Sequence, residues 1–464
     1  PPAQAGERRP PGPQEAQAVL QRMAEQMGLV PTPTPNIVPA PPAGQQYRFY
    51  WNTPTVLSPH NPSVVYIGGD RLFISRDRGR TFTMTQDLTR NFDRFKNPIM
   101  GVAGDAPMAS KHDGAGAFSN VVTISESPVV PGVLWIGTND GNVQVSRDGG
   151  AAWKNVVANA KGVPDGTHVS RVEASHFDAG TCYVTFDGHR TDDHTPYVFV
   201  TRDFGETFTP ISEGLPAGNV NVIREDPKNR SLLYLGTEYG FFVSLDAGKS
   251  WKRFMNGLPT VRVDDVKIHP RDNDLILGTH GRSIWIMDDI SPLQKLTPEA
   301  MSAGVTLFEP RPATIWRDDI RRRYNMGGAK HFRGENPEDG TMISYHLAGV
   351  PEGDVTITIG DVTGQTVREM KGTKNAGVNR VRWNLRGNPP PLPPNLGDML
   401  EAAGMPGARQ MIAQVQAGQA PPPGGGGFAA MFRRIMEGRA VEPGTYLVKL
   451  TAGGKTETTK VVVN

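Results

Sequence analysis

Five stretches of this chain, residues 53–82, 122–153, 170–208, 220–251 and 263–290, are variations on one phrase. Each reads as short alternating strands broken by turn residues. A repeat of about 40–50 residues built this way has the form of a β-propeller blade. In the second copy Val121, Thr123 and Ser125 alternate with Val122 and Ile124, and Leu134-Trp135-Ile136 gives a second β-prone run. Gly137-Thr138-Asn139-Asp140-Gly141 is turn chemistry, since Asn, Asp and Gly tolerate positive φ. Val143 and Val145 resume the alternation, a further turn follows, and Trp153 begins a fourth strand. One such meander cannot bury both faces, so neighbouring copies must stack around an axis.

The second turn is the more specific part. It reads Ser/Thr-x-Asp-x-Gly-x-Thr/Ser-aromatic in four copies, centred on Asp77, Asp148, Asp203 and Asp246. The Asp carboxylate can accept from the turn's own N–H groups, and Gly supplies a positive φ. The second copy departs at Ala152, and the fifth repeat keeps Ser283, Trp285 and Asp288 without a full box. The phrase resembles the Asp-box, or bacterial-neuraminidase, repeat. A role repeated in every blade is structural, so these four Asp are expected to staple turns rather than to catalyse.

At 464 residues the chain is long enough for two or more domains. Residues 1–45 have linker composition with a short amphipathic helix over Gln14–Met27, which puts Val19, Leu20, Met23 and Met27 on one face. Residues 46–297 hold the blades. Residues 298–464 carry six or seven further strands at a spacing that suits a small β-sandwich, with Trp383 and Tyr446 in its core. A Pro/Gly/Met-rich insertion interrupts it at about 387–441, with short helices expected near Asp398–Met405 and Phe428–Met436. It reads either as a loose loop or as an interaction arm. Arg317–Arg333 reads as a surface loop. The expected class is therefore all-β, a propeller followed by a sandwich. Five blades are fewer than closed propellers commonly use, so the chain is expected to be part of a longer protein or to be completed by a partner.

Net charge is +2, and no Lys/Arg run longer than Arg321-Arg322-Arg323 points to nucleic acid. No stretch of about 18 apolar residues marks a membrane span. The lone Cys182 excludes an internal disulfide and reads as a buried small hydrophobe.

Three segments carry a family resemblance. They are Gly278–Ile290 followed by Pro292-Leu293, Phe186–Arg190 with Asp192-Asp193 and Pro196–Phe199, and Asn221–Pro227. Together they resemble the bacterial sortilin-like (Vps10-type) Asp-box propeller proteins, often labelled glycosyl hydrolases. In that family the C-terminal module looks like the flagellar-hook-cap type of immunoglobulin-like domain. Glu335-Asn336-Pro337, Asn379–Arg386 and Pro443–Tyr446 match its pattern. The resemblance implies export to the periplasm or cell exterior. It implies no established activity.

Candidate chemistry is sparse. The Arg-Ile-Pro motif of sialidases is absent. Arg171, Arg224 and Arg262 are expected at similar places on successive first strands, near the propeller axis, so they could grip an anionic ligand or pair with Glu173, Glu225, Asp226, Asp264 and Asp265. A tandem-propeller xyloglucanase needs two carboxylates across a cleft, for which Asp264, Asp265, Asp187 and Asp192 are available. Asp187, His189, Asp192 and Asp193, with His194 beside them, are residue types that could hold a metal such as Ca²⁺, on a loop expected to project from one face. His280 and Arg282 in Gly-Thr-His-Gly-Arg complete the ligand-binding candidates, a turn role being the alternative for His280. The reading that follows is an exported, non-catalytic binding or scaffold protein that recognises a protein or peptide through blade-face loops. The rival is a glycoside hydrolase with its carboxylates at the propeller mouth.

Overall fold

A computed structural model describes residues 23, 27, 37–93, 96, 98, 101–107, 109, 118–316, 340–391, 393–404, 407–416 and 438–464. They form an all-β protein of short antiparallel sheets, with four short α-helices among the described residues. The expected helix over Gln14–Met27 and the loop at 317–333 lie essentially outside the described residues. Two compact units divide the chain. One holds Pro1–Ala174, Ala179–Cys182 and Arg202–Thr207; the other holds Ser175–Asp178, Tyr183–Thr201 and Phe208–Asn464.

The repeats are propeller blades. Blade 1 is β1 (Thr55–Leu57), β2 (Val65–Gly68), β3 (Leu72–Ser75) and β4 (Thr83–Met84). Blade 2 is β5 (Val121–Glu126), β6 (Leu134–Thr138), β7 (Val143–Ser146) and β8 (Lys154–Asn155). Blade 3 is β9 (His168–Ala174), β10 (Cys182–Gly188), β11 (Asp193–Thr201) and β12 (Thr209–Pro210). Blade 4 is β13 (Val220–Glu225), β14 (Leu233–Thr237), β15 (Gly240–Ser244) and β16 (Lys252–Arg253). Among the described residues blade 5 has three strands: β17 (Val263–Ile268), β18 (Leu275–Thr279) and β19 (Ile284–Met287). Cys182 is fully buried at the start of β10.

Every fourth strand is two residues long and follows a turn held by one carboxylate. Asp77 accepts from Thr81 N at 2.9 Å, Thr81 Oγ1 at 2.7 Å and Ser75 Oγ at 2.8 Å. Asp246 repeats this with Ser250 N, Ser250 Oγ and Ser244 Oγ at 2.9, 2.6 and 2.7 Å. Asp203 takes Thr207 N and Oγ1 at 2.9 and 2.6 Å. Asp148 takes Ala152 N and Ser146 Oγ, and the hydroxyl contact that threonine or serine supplies elsewhere is missing. The residue after the Asp is left-handed in all four turns, at Arg78, Gly149, Phe204 and Ala247. Hydrogen bonds to the charged carboxylate favour it, led by those from Thr81, and hold Asp77 at about 2.

A second repeated device joins the blades. A Cβ added at Gly68 would stand 3.0 Å from Val121 Cγ1, at Gly137 2.4 Å from Val169 Cγ1, and at Gly236 2.8 Å from Val263 Cγ1. In each case the second strand leaves out a side chain so that a valine of the next inner strand can seat against its backbone. In β5 and β17 a register shift follows that valine, between Val121/Thr123 and Val263/Asp265, and β13 has the same shift between Val220/Val222. The bulge turns the valine toward the neighbouring blade while the rest of the strand keeps its pairing. Apolar side chains fill the seams. Tyr66, Leu72 and Ile74 meet Val121 and Ile136 in the first unit; Tyr183, Val198 and Val200 meet Val220 and Leu235 in the second.

The chain then passes through α1 (Ser291–Gln294) and α2 (Pro298–Ser302) into a two-sheet sandwich. One sheet orders β20 (Val305–Leu307), β21 (Thr341–Leu347) and β24 (Gly377–Trp383). The other orders β23 (Thr366–Lys371), β22 (Thr356–Gly360), β25 (Gly444–Ala452) and β26 (Lys455–Val463). Ile343, Tyr345, Ile357, Ile359, Trp383, Val448 and Leu450 form their common core, with Tyr446 edge-on to Trp383 at 5.4 Å. The insertion contains α3 (Leu396–Ala402) and α4 (Ala408–Gln416). The expected helix at Phe428–Met436 falls outside the described residues.

Candidate functional site

Asp187, His189, Asp192, Asp193, His280 and Arg282 lie at or beside the loops of the second unit that join second and third strands of blades 3 and 5. These loops are positioned by backbone pairs that recur between blades. Glu238 N donates to Asn219 O at 2.9 Å, and His280 N donates to Arg262 O at 3.0 Å. The loop joining second and third strands is thus tied to the residue just ahead of the inner strand. Side chains at those positions are free to differ from blade to blade, which is where a repeat fold carries function.

On the β10–β11 loop, Asp187 is buried at the end of its strand. It accepts from His189 N at 3.0 Å and lies 2.7 Å from His189 Nδ1. The chain makes one 3-10 turn over His189–Thr191, and Asp192 takes a left-handed φ of 61°. Asp193 accepts from Tyr197 OH at 2.7 Å and from Thr195 N at 3.0 Å. Burial works against that carboxylate, but the Thr195 and Tyr197 hydrogen bonds prevail and lower it. His194 places Nδ1 2.9 Å from Asn219 Oδ1 and 3.8 Å from Glu238, and Nε2 3.4 Å from Asp192. The Asn219 contact, then the two carboxylates, raise its pKa against a smaller effect of burial.

The four residues suggested as metal ligands therefore form separate pairs: Asp187 with His189, Asp192 with His194, and Asp193 with Tyr197. Among the described residues no three His, Cys, Asp or Glu side chains converge as a metal site would require.

The arginines resolve differently from the even series expected. Arg224 lies within β13 opposite Tyr234, and the residue opposite the matching Ile276 in blade 5 is Lys267, not Arg262. Arg262 precedes β17 and matches Asn219. Arg171 lies on β9 in the first unit. The three are thus not equivalent positions of one ring: Arg224 lies inside its inner strand opposite Tyr234, whereas Arg262 stands ahead of its own. Arg224 donates to Val266 O at 2.8 Å and to Asp265 Oδ1 at 3.3 Å. Arg262 Nε donates to Asp264 at 2.6 Å, with His280 Nδ1 3.7 Å from the other Asp264 oxygen. Arg282 lends its carbonyl to Trp285 Nε1 at 2.9 Å. Asp187, Asp192, Asp264 and Asp265, the carboxylates considered for glycoside cleavage, each hold a cation or imidazole partner of their own.

Two acids named as arginine partners lie elsewhere. Glu225 is buried and accepts from Ser175 Oγ at 2.8 Å, His176 N at 2.6 Å and Tyr183 OH at 3.1 Å. Asp226 accepts from Tyr234 OH at 3.1 Å and Gln294 Nε2 at 3.0 Å; burial, then Asp226, pushes the Tyr234 hydroxyl well up. Sequence reading missed His194–Asn219–Glu238 and the half-exposed Tyr239 beside Gly218. Comparing the loop positions across repeats, Asn139 with Glu238 and His280, was the signal available. A cavity of ≈ 430 Å³ in the first unit is lined by Pro39, Tyr47, Phe73, Phe82 and Met84 among others; none of the predicted site residues borders it.

No protein-family model matches the chain. Over 167 residues it is 26% identical to the oligoxyloglucan-reducing end-specific xyloglucanase of Emericella nidulans, a match covering 33% of this chain and 17% of that enzyme. The chain therefore spans about one-sixth of that relative. Among solved structures, a GH74 xyloglucanase from Xanthomonas campestris overlaps with a TM-score of 0.37 at 17% identity, covering 50% of this chain and 36% of its own. YCF48 from Cyanidioschyzon merolae overlaps with a TM-score of 0.35 at 12% identity, covering 54% and 71%. No helix among the described residues is long and apolar enough to cross a membrane.

Proposed function

We propose that this chain is a non-catalytic recognition protein that binds a protein or peptide segment through the inner loops of blades 3 to 5. The observation that carries this reading is the state of the acids. Asp264 is held by Arg262, Asp265 by Arg224 and Asp187 by His189, so these carboxylates serve to orient cations and imidazoles. His194, Tyr239, His280 and Arg282 supply hydrogen-bonding groups around them, a surface suited to peptide carboxylates and carbonyls. The sortilin-like resemblance accords with this role. Under the same reading the sandwich is the immunoglobulin-like module of that family, and the protein works in the periplasm or outside the cell.

The second reading is glycoside hydrolysis at the same loops, favoured by the 26% identity to the fungal xyloglucanase. One pair of assays separates the two. Fluorescein-labelled oligoglutamate is titrated onto the protein at low salt, and reducing-sugar release is followed on xyloglucan oligosaccharides. Saturable peptide binding that weakens in Arg262→Gln, without sugar release, supports recognition. Sugar release abolished by Asp264→Asn overturns it in favour of the hydrolase.

A further inference from the structure

Blade 5 carries half of a joint that the chain builds three times elsewhere. In blades 1, 2 and 4 the second-strand glycine is covered by a valine of the next inner strand. Strand register makes Gly278 the counterpart of Gly68, Gly137 and Gly236: they face Ile284, Leu72, Val143 and Phe241 respectively. Among the described residues, a Cβ at Gly278 would meet only Asp265 of its own blade, at 3.8 Å or more.

The third strand agrees with this. Trp285 occupies the position of Phe73 and Phe242, and Ile286 that of Ile74 and Val243. Trp285 is 37% exposed against 1% and 7% for its counterparts, and Ile286 60% against 6% and 5%. In the other blades those two positions also pair with a fourth strand, as Phe242 with Arg253 and Val243 with Lys252. Among the described residues blade 5 has no such strand. Glycine slot, apolar third strand and bare edge are thus all present on one blade.

We infer that this face of blade 5 docks a further β-meander blade carried by a different polypeptide stretch, seated by a valine or similar β-branched residue at the head of its inner strand. The surface continues the blade-to-blade interface already formed at Val121, Val169 and Val263, which specifies the occupant's chemistry. A second copy of these blades does not supply it. Val121, Val169 and Val263 are already seated within the chain, and blade 1 offers no counterpart. There Thr55 faces Ile67 as Ile124 faces Ile136, so the valine position falls ahead of β1, where Pro54 O already accepts from Gly68 N. The docked blade's face would cover Trp285 and Ile286, and the valine slot would set its position. This surface is separate from the inner loops, so its failure leaves the recognition reading standing.

The test uses the full chain and a fluorescein-labelled peptide of residues 119–127, the inner strand that fills the slot at Gly68. Fluorescence anisotropy should show saturable binding. Gly278→Leu, whose Cβ would make only ordinary contact with Asp265, should weaken it about tenfold, a change of about 1.4 kcal/mol. Ile286→Lys, on an exposed position that cannot disturb the core, should weaken it too, and so should a peptide carrying Asp in place of Val121. Absence of binding up to about 1 mM, near the weak end of peptide affinities, overturns the inference, as does equal binding to Gly278→Leu. Self-association in sedimentation velocity that disappears in Gly278→Leu overturns it in another direction, by assigning the face to a second copy.

Discussion

Blades 4 and 5 share the lengths of their first two strands, the bulge position and the second-strand glycine, yet one is finished and the other is not. Blade 4 has the Ser244–Asp246–Ser250 turn, and the chain reverses through it to lay Lys252–Arg253 along β15. Blade 5 has Asp288 at the end of its third strand but no hydroxyl partners placed to fold a turn around it. The chain leaves instead toward the sandwich, where Arg380 donates to Asp288 O at 3.1 Å and Arg311 pairs with Asp274 at 3.2 Å. The fourth strand is therefore a product of the turn's hydrogen bonds rather than of its own two residues, which are polar and exposed in blade 4.

The sharpest way to break this comparison is at the paired glycines. Gly236→Ala puts a Cβ 2.6 Å from Val222 and 2.8 Å from Val263. It should cost about 1–3 kcal/mol by overpacking, while Gly278→Ala should stay within about 0.5 kcal/mol. Denaturant midpoints of the two variants decide it; equal losses would mean that the slot at Gly278 is filled.

Next comes the turn carboxylate. Asp246→Ala removes the acceptor for Ser250 N, Ser250 Oγ and Ser244 Oγ and should cost about 1–2 kcal/mol. Burial opposes ionisation there, but hydrogen bonds led by Ser250 lower the Asp246 carboxyl below its usual range. A depressed carboxyl stabilises the fold above its unfolded pKa and loses that contribution as pH falls through the folded value. Asp77 defines the window, from its ordinary 3.8 down to about 2. Acid titration by NMR should show Asp77, Asp148 and Asp246 protonating below the ordinary Asp range.

A smaller gain is expected from Ala152→Thr. The new hydroxyl restores the contact that Thr81 and Thr207 make with their Asp, and should add about 0.5–1 kcal/mol, read as a raised denaturant midpoint. The smallest effect belongs to blade 5. Burial, then the charge of Asp274, raises the Asp288 carboxyl above its ordinary value. A raised carboxyl opposes folding above that value and ceases to do so as pH falls. Asp288→Asn should thus give a slight rise in unfolding temperature at neutral pH that vanishes in acid. A fall would place a stabilising partner on Asp288.

The blade count, the turn aspartates and the incomplete fifth repeat were legible because they are local: each rests on a few residues within one turn. Six of the sandwich strands, β21 to β26, were legible from their β-prone runs, while β20 was not read. Helix α4 was missed because Gly404 and Gly407 stand just ahead of it and its apolar face is short. The equivalence of the arginines was misread because only the strand register shows that Arg262 stands ahead of β17 while Arg224 lies well inside β13. The glycine–valine joints were not read at all, since each links positions about 30–50 residues apart and only backbone proximity reveals them. Loop pairs such as His194 with Asn219 are hidden for the same reason.

Cys182, the chain's lone thiol, is sealed at the head of β10. A thiol reagent can reach it only when that strand parts from its surroundings. Its labelling rate in the native protein therefore reports how often the third blade opens, and at reagent saturation it becomes a clock for that opening. Because no second cysteine competes for the reagent, the same clock reads whether a ligand on the loops or a partner at blade 5 steadies the middle of the chain.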